Sequence, residues 1–191
     1  MTLSDDAGRG GTARDLTGQV SQRPDGGVGV RVEIPLRWGD MDAYGHINNV
    51  RVAALLEEAR IHAFGVPGGT GADGLPAPVS LLDAVPDTVQ VLIAEHRIRY
   101  RRPLEYRTVP AEVWVWIDAV KAASIEVAYS VRDGWDGTEC VTAATTMVFV
   151  DAATGRPARL TEAQKSTLNS LTSPTPASDG RKCPNTPGNS T

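Results

Sequence analysis

The stretch RWGDMDAYGHINNV, Arg37 to Val50, decides the fold. It crowds two acids (Asp40, Asp42), a glycine (Gly45), a histidine (His46) and two amides (Asn48, Asn49) between an apolar run and an amphipathic helix. Polar chemistry of this density, held between two ordered elements, reads as a positioned site rather than a solvated linker. Its simplest use is to present one carboxylate and the amino end of a helix to a bound carbonyl group.

Working outward on the carboxyl side, Val52, Leu55, Leu56, Ala59 and Ala63 fall at i, i+3, i+4, i+7 and i+11, one face of a helix about four turns long. Asn48 or Asn49 is a suitable N-cap, Gly65 a suitable stop, and Pro67 prevents continuation. Glu57, Glu58, Arg60 and His62 lie on or near the opposite face, where solvation is expected. On the amino side, Gly27 to Leu36 alternates around Val30, Val32 and Ile34 as a first strand, with Pro35 marking an edge or bulge.

Beyond the helix, Val66 to Ala77 is a Gly/Pro-rich loop, and Val79 to Leu82 adds a short strand or turn. Val89 to Tyr100 reads as a long strand ended by Pro103. Ala111 to Ile117 places Val113, Val115 and Ile117 on one face and Glu112, Trp114 and Trp116 on the other. Ser124 to Val131 repeats the pattern with Ile125, Val127, Tyr129 and Val131, and Cys140 to Val150 is a last run. The connectors VKAAS and DGWDG carry turn chemistry, so successive strands are expected as an antiparallel meander. Thr161 to Leu171 is weakly helical. One long apolar helix and one antiparallel sheet each need a partner, and wrapping the sheet around the helix satisfies both.

The 191 residues fit one domain with tails. Residues 1–26 and 173–191 are poor in apolar residues and read as disordered, leaving 27–172 as the folded unit. Cys140 and Cys183 make no framework of bridges or metal ligands, so a reducing cytoplasm is the expected compartment. The chain lacks a long apolar segment, which excludes a spanning helix, and it opens on polar residues, against a secretory signal. A formal charge of −4 argues against a general nucleic-acid binder. Asp40, Asp42 and Gly45 match positions one, three and six of a calcium loop, but Tyr44 at position five and Arg51 at position twelve break it, so no metal or other cofactor is expected.

Asp-x-Asp-x-x-Gly-His-x-Asn-Asn directly before a helix containing EEAR resembles the hot-dog-fold thioesterases of the 4-hydroxybenzoyl-CoA thioesterase and acyl-CoA thioesterase group, over about Val30 to Leu160. The resemblance implies an α+β hot-dog fold and hydrolysis of an acyl thioester to acid and thiol. It implies Asp42 as nucleophile or general base, with amides near Gly45 and His46 holding the oxyanion at the positive end of the helix dipole. An Asx turn or a capping carboxylate is the alternative for Asp42, and loop hydrogen bonding the expected role of Asp40. His46 orients the carbonyl or Asp42, or donates to a backbone carbonyl. Asn48 and Asn49 bind water or substrate, with capping explaining at least one. Related groups use a helix glutamate, which makes Glu57 or Glu58 a second candidate. Val52 stands where the family often has an aromatic residue, a departure that bears on the acyl pocket.

The resemblance also implies a thiol carrier, coenzyme A or an acyl carrier protein, and a homodimer or homotetramer whose sites are completed across the interface. Lys121 and Arg159 are then the phosphate candidates. The stripe Arg97, Arg99 and Arg101 reads as a solvent face or subunit contact, and outward Trp114 and Trp116 as interface or pocket residues. The rival functions are a hot-dog hydratase or dehydratase and a catalytically silent acyl-thioester binder.

Overall fold

The computed structural model describes residues 18–66, 77–82 and 85–173. Its elements are β1 (Gln19–Gln22), β2 (Val28–Ile34), α1 (Asn49–Phe64), β3 (Val89–Tyr100), β4 (Ala111–Val120), β5 (Ser124–Arg132), β6 (Glu139–Asp151) and α2 (Glu162–Ser170), with one 3-10 turn at Trp38–Asp40. The strands form one antiparallel sheet in the order β1-β2-β4-β5-β6-β3. This is the expected α+β hot-dog arrangement, with α2 as a second, shorter helix.

Alternation along each strand sorts side chains between two faces. The inner face carries Val30, Val32 and Ile34 from β2, Val113, Val115 and Ile117 from β4, Ile125, Val127, Tyr129 and Val131 from β5, and Val141, Met147 and Phe149 from β6. Against it α1 buries Val52, Leu55, Leu56, Ala59 and Ala63, the stripe its spacing predicts. Trp114, Trp116 and Ala128 form a separate buried cluster on the outer face. There Arg97 and Arg101 pair with Glu126 and Glu139, so the basic stripe is a sheet-face network. At its amino end α1 is capped by Asn48, whose Oδ1 accepts from the Val50 amide at 2.9 Å. At its carboxyl end Gly65, at φ +87°, turns the chain out of the helix.

Three expectations are corrected by long-range contacts. Residues 18–26 and Ser173, assigned to disordered tails, belong to the folded unit. β1 pairs with β2, and the buried Arg23 guanidinium stacks 3.9 Å over Trp116 while binding Asp25 at 2.9 Å, the Val28 carbonyl at 3.1 Å and the Ser173 carbonyl at 2.9 Å. Composition missed this because Trp116 and Ser173 lie far from Arg23 in the sequence. The assignments of 1–17 and 174–191 lie outside the described residues.

The meander holds only for β4, β5 and β6. β3 joins the far edge of the sheet beside β6, with its Tyr100 opposite Val141. Arg60 and His62, expected in solvent, are buried. Arg60 reaches across to the Tyr129 phenol, and Gly18, leading into β1, covers the flank of α1 at His62. Of the short strand or turn expected at Val79 to Leu82, the chain takes the non-strand form, bends anchored by the Val79 amide on the Ala63 carbonyl at 3.3 Å and the Leu82 amide on the Phe64 carbonyl at 2.8 Å.

Candidate active site

The loop between β2 and α1 folds as two small turns. In the first, the Arg37 amide donates to Asp40 Oδ2 at 2.8 Å and the Asp40 amide returns to the Arg37 carbonyl at 2.9 Å. The Asp40 carbonyl then receives the Asn48 amide at 2.8 Å, while its carboxylate faces Arg51 at 3.8 Å. Asp40 is therefore the brace between loop and helix. In the second turn Asp42 Oδ1 accepts from the amides of Tyr44 at 2.8 Å and His46 at 3.1 Å. The Gly45 amide donates to the Asp42 carbonyl at 3.2 Å, and Gly45 itself sits at φ +82°, where a side chain is disfavoured. This is an Asx turn, the alternative weighed for Asp42.

The turn does not exhaust the carboxylate. Asp42 is half-buried, and its Oδ2 accepts no hydrogen bond from the described residues. Asp42 lines a cavity of about 280 Å3 together with His46, Ile47, Asn49, Val52, Tyr100, Arg101, Arg102, Pro103, Leu104 and Val141. The second wall comes from the chain leaving β3, which is stitched to the loop by the Ile47 amide on the Leu104 carbonyl at 2.7 Å and by bridge pairing of His46 with Glu105. Tyr100 ties the walls together, its phenol donating to the Asn49 carbonyl at 3.1 Å. Burial there pushes the Tyr100 phenol above its ordinary range, so it stays protonated as that donor.

The structure redistributes the expected roles. The amides of Gly45 and His46, expected to hold an oxyanion, are already committed to Asp42, because the Asx turn consumes them. Asn48 is the helix cap and does not line the cavity; Asn49 does, and its amide has no acceptor among the described residues. His46 lines the cavity from the same turn as Asp42. Glu57 and Glu58 are outside it, facing Arg60 and His62 at 3.4 Å each.

Lys121 and Arg159 come close to each other but not to Asp42. The Lys121 amide bonds the Ser124 carbonyl, Leu160 bonds Ala122, and Ser124 lies opposite Val148. Val141, in the cavity wall, is seven positions along the same strand, about 23 Å away at strand rise. Sequence reading missed Tyr100, Arg101, Arg102 and Leu104 as site residues. The Arg-Arg-Pro end of β3 was legible, but its docking on the loop is a non-local contact.

Residues 36–168 match the model of the thioesterase-like superfamily. The chain is also 24% identical over 136 residues, 71% of its length and 82% of the relative's, to the uncharacterized protein YsmA of Bacillus subtilis (strain 168). Among solved structures, a predicted thioesterase of Bacillus stearothermophilus superposes with a TM-score of 0.61 at 18% identity, covering 76% of this chain and 98% of that one. A thioesterase of Thermus thermophilus complexed with coenzyme A and zinc gives 0.53 at 20% identity, covering 74% and 92%. The family match spans well over half of the chain, which therefore belongs to the thioesterase-like superfamily.

Proposed function

We propose that this member of the thioesterase-like superfamily hydrolyses an acyl thioester to a free acid and a thiol, with Asp42 as nucleophile or general base. The observation that carries the reading is a carboxylate with one oxygen fixed by a turn and the other without a partner among the described residues, in the wall of a cavity that Asn49, the first residue of α1, also lines.

In the nucleophilic route Oδ2 attacks the thioester carbon, the thiolate leaves with the electrons of the C–S bond, and water cleaves the resulting anhydride. In the general-base route Oδ2 takes a proton from water, whose oxygen attacks instead. Either way the carbonyl oxygen gains charge, and the uncommitted Asn49 amide at the positive end of the helix dipole is the donor suited to receive it. His46 flanks the carbonyl from the same side as Asp42, an arrangement that suits carbonyl positioning better than acid and base work across an acyl chain, as a hydratase needs.

Coenzyme A is the proposed thiol carrier, an acyl carrier protein the alternative, and the cytoplasm the proposed compartment. Among the described residues no helix is long and apolar enough to cross a membrane. The protein acts as a homodimer or homotetramer, and the outer edge of β3, without a strand partner among the described residues, is the proposed seam. Antiparallel pairing of two such edges would carry the Lys121 and Arg159 end of one subunit toward the Asp42 end of the other, which is how those cations would serve the thiol carrier.

Thiol release from a panel of saturated acyl-CoA esters tests the reading. Release dependent on Asp42 is expected. Water addition to an enoyl-CoA without thiol release would instead make it a hydratase, and binding without turnover a silent acyl-thioester binder.

A further inference from the structure

Arg101 and Arg102 enter the Asp42 cavity from one rigid corner. Their amides share the Cys140 carbonyl at 2.8 and 3.1 Å, and Pro103 fixes the chain that follows. From there the two side chains part. The Arg101 guanidinium turns to Glu139 at 3.2 Å and to Thr142 Oγ1 at 3.3 Å. That of Arg102 meets no carboxylate and makes no hydrogen bond among the described residues. One cavity is thus lined both by an arginine whose guanidinium has no partner among the described residues and by a carboxylate that is partly committed.

That combination has a physical consequence. A substrate bearing negative charge is repelled by Asp42 as it approaches, and a cation on the other wall of the cavity offsets the repulsion. A guanidinium also offers a fork of donors matched to carboxylate or phosphate oxygens. Val52, Leu104 and Val141 line the same cavity and suit an aliphatic portion.

We infer that Arg102 is the anion-binding residue of this site, taking a carboxylate or phosphate group of the substrate; the inference rests on the thioester-hydrolase reading. The anion has two sources, a carboxylate at the far end of a short acyl group or a phosphate of the thiol carrier. Lys121 and Arg159 do not compete for this role within one subunit, because they lie at the other end of the sheet.

The test compares two ratios of kcat/KM in the full chain: succinyl-CoA over butyryl-CoA, and butyryl-CoA over butyryl-N-acetylcysteamine, which lacks the phosphates. In Arg102→Gln one of these ratios falls about 10- to 100-fold, the loss of one hydrogen bond to a charged group. Arg102→Lys restores part of it. The first ratio falls if the anion is on the acyl group, the second if it is on the carrier. Arg99→Gln, an equal charge change on the outer face, leaves both ratios at the wild-type value. Unchanged ratios in Arg102→Gln, or an equal fall in Arg99→Gln, overturn the inference while leaving hydrolysis intact. If no ester releases thiol, the hydrolase reading fails instead, and calorimetric affinities for the same four compounds replace kcat/KM in the same comparison.

Discussion

The phenol of Tyr100 donates to the main-chain carbonyl of Asn49 across 3.1 Å, tying the end of an edge strand to the first turn of the helix that opens the cavity. Three segments distant in sequence converge there: the loop after β2 with the start of α1 that continues it, the Arg-Arg-Pro corner after β3, and β6 through Val141. The cavity therefore depends on a few long-range hydrogen bonds as much as on the motif itself.

Tyr100→Phe removes that tether and keeps the ring in place. The expected cost is about 1 kcal/mol of stability, a typical net value for one hydrogen bond. Because the tether joins the first residue of α1 to the β3 side of the cavity that Asp42 lines, kcat should fall about tenfold with KM little changed. Denaturant unfolding and steady-state kinetics check the pair of effects.

Asn48→Ala tests whether this amide is a cap or a substrate ligand. As a cap it costs about 1 kcal/mol, and Asn48→Asp, which keeps an acceptor for the Val50 amide, regains most of it. Urea unfolding of the three proteins reads the order. A loss of turnover at full stability in both variants would assign Asn48 to substrate.

Asp25 gives the amino-terminal hairpin a pH dependence of known sign. The Arg23 guanidinium bonded to it holds its carboxyl below the ordinary value of 3.8. A depressed native value means that the stabilisation is complete above about 3.8 and is lost as pH falls from there through the native value. Hydrogen exchange should show Gln19–Gln22 opening over that acid range, and Asp25→Asn should open the hairpin already at neutral pH while flattening its acid response.

How much the sequence disclosed follows from the range of each contact. The period of Val52, Leu55, Leu56, Ala59 and Ala63 is a local property of a helix, and the alternation of Val113, Val115 and Ile117 a local property of a strand, so both elements and their buried faces were readable. Asp40 as a loop brace was readable for the same reason, since Arg37 and Asn48 lie close by in the chain. What escaped is non-local. Nothing near Arg23 announces Trp116 or Ser173, and nothing near Arg102 announces Asp42. Strand order escaped as well, because β3 passes over its successor β4 to reach β6. The roles of the Gly45 and His46 amides were misread for a subtler reason. The motif puts donors beside an acid, and their geometry, not their spacing, decides that they serve that acid.

The most direct measurement is turnover of Asp42→Asn on an acyl-CoA ester that the wild-type protein hydrolyses. Asparagine keeps an Oδ1 acceptor for the Tyr44 and His46 amides, so the turn survives, while the charge and nucleophilicity of the other oxygen are lost. Loss of kcat by about a thousandfold or more, with KM within a few fold and an unchanged melting temperature, is the predicted result. A kcat equal to that of the wild type would show Asp42 to be a turn residue alone and would contradict the account.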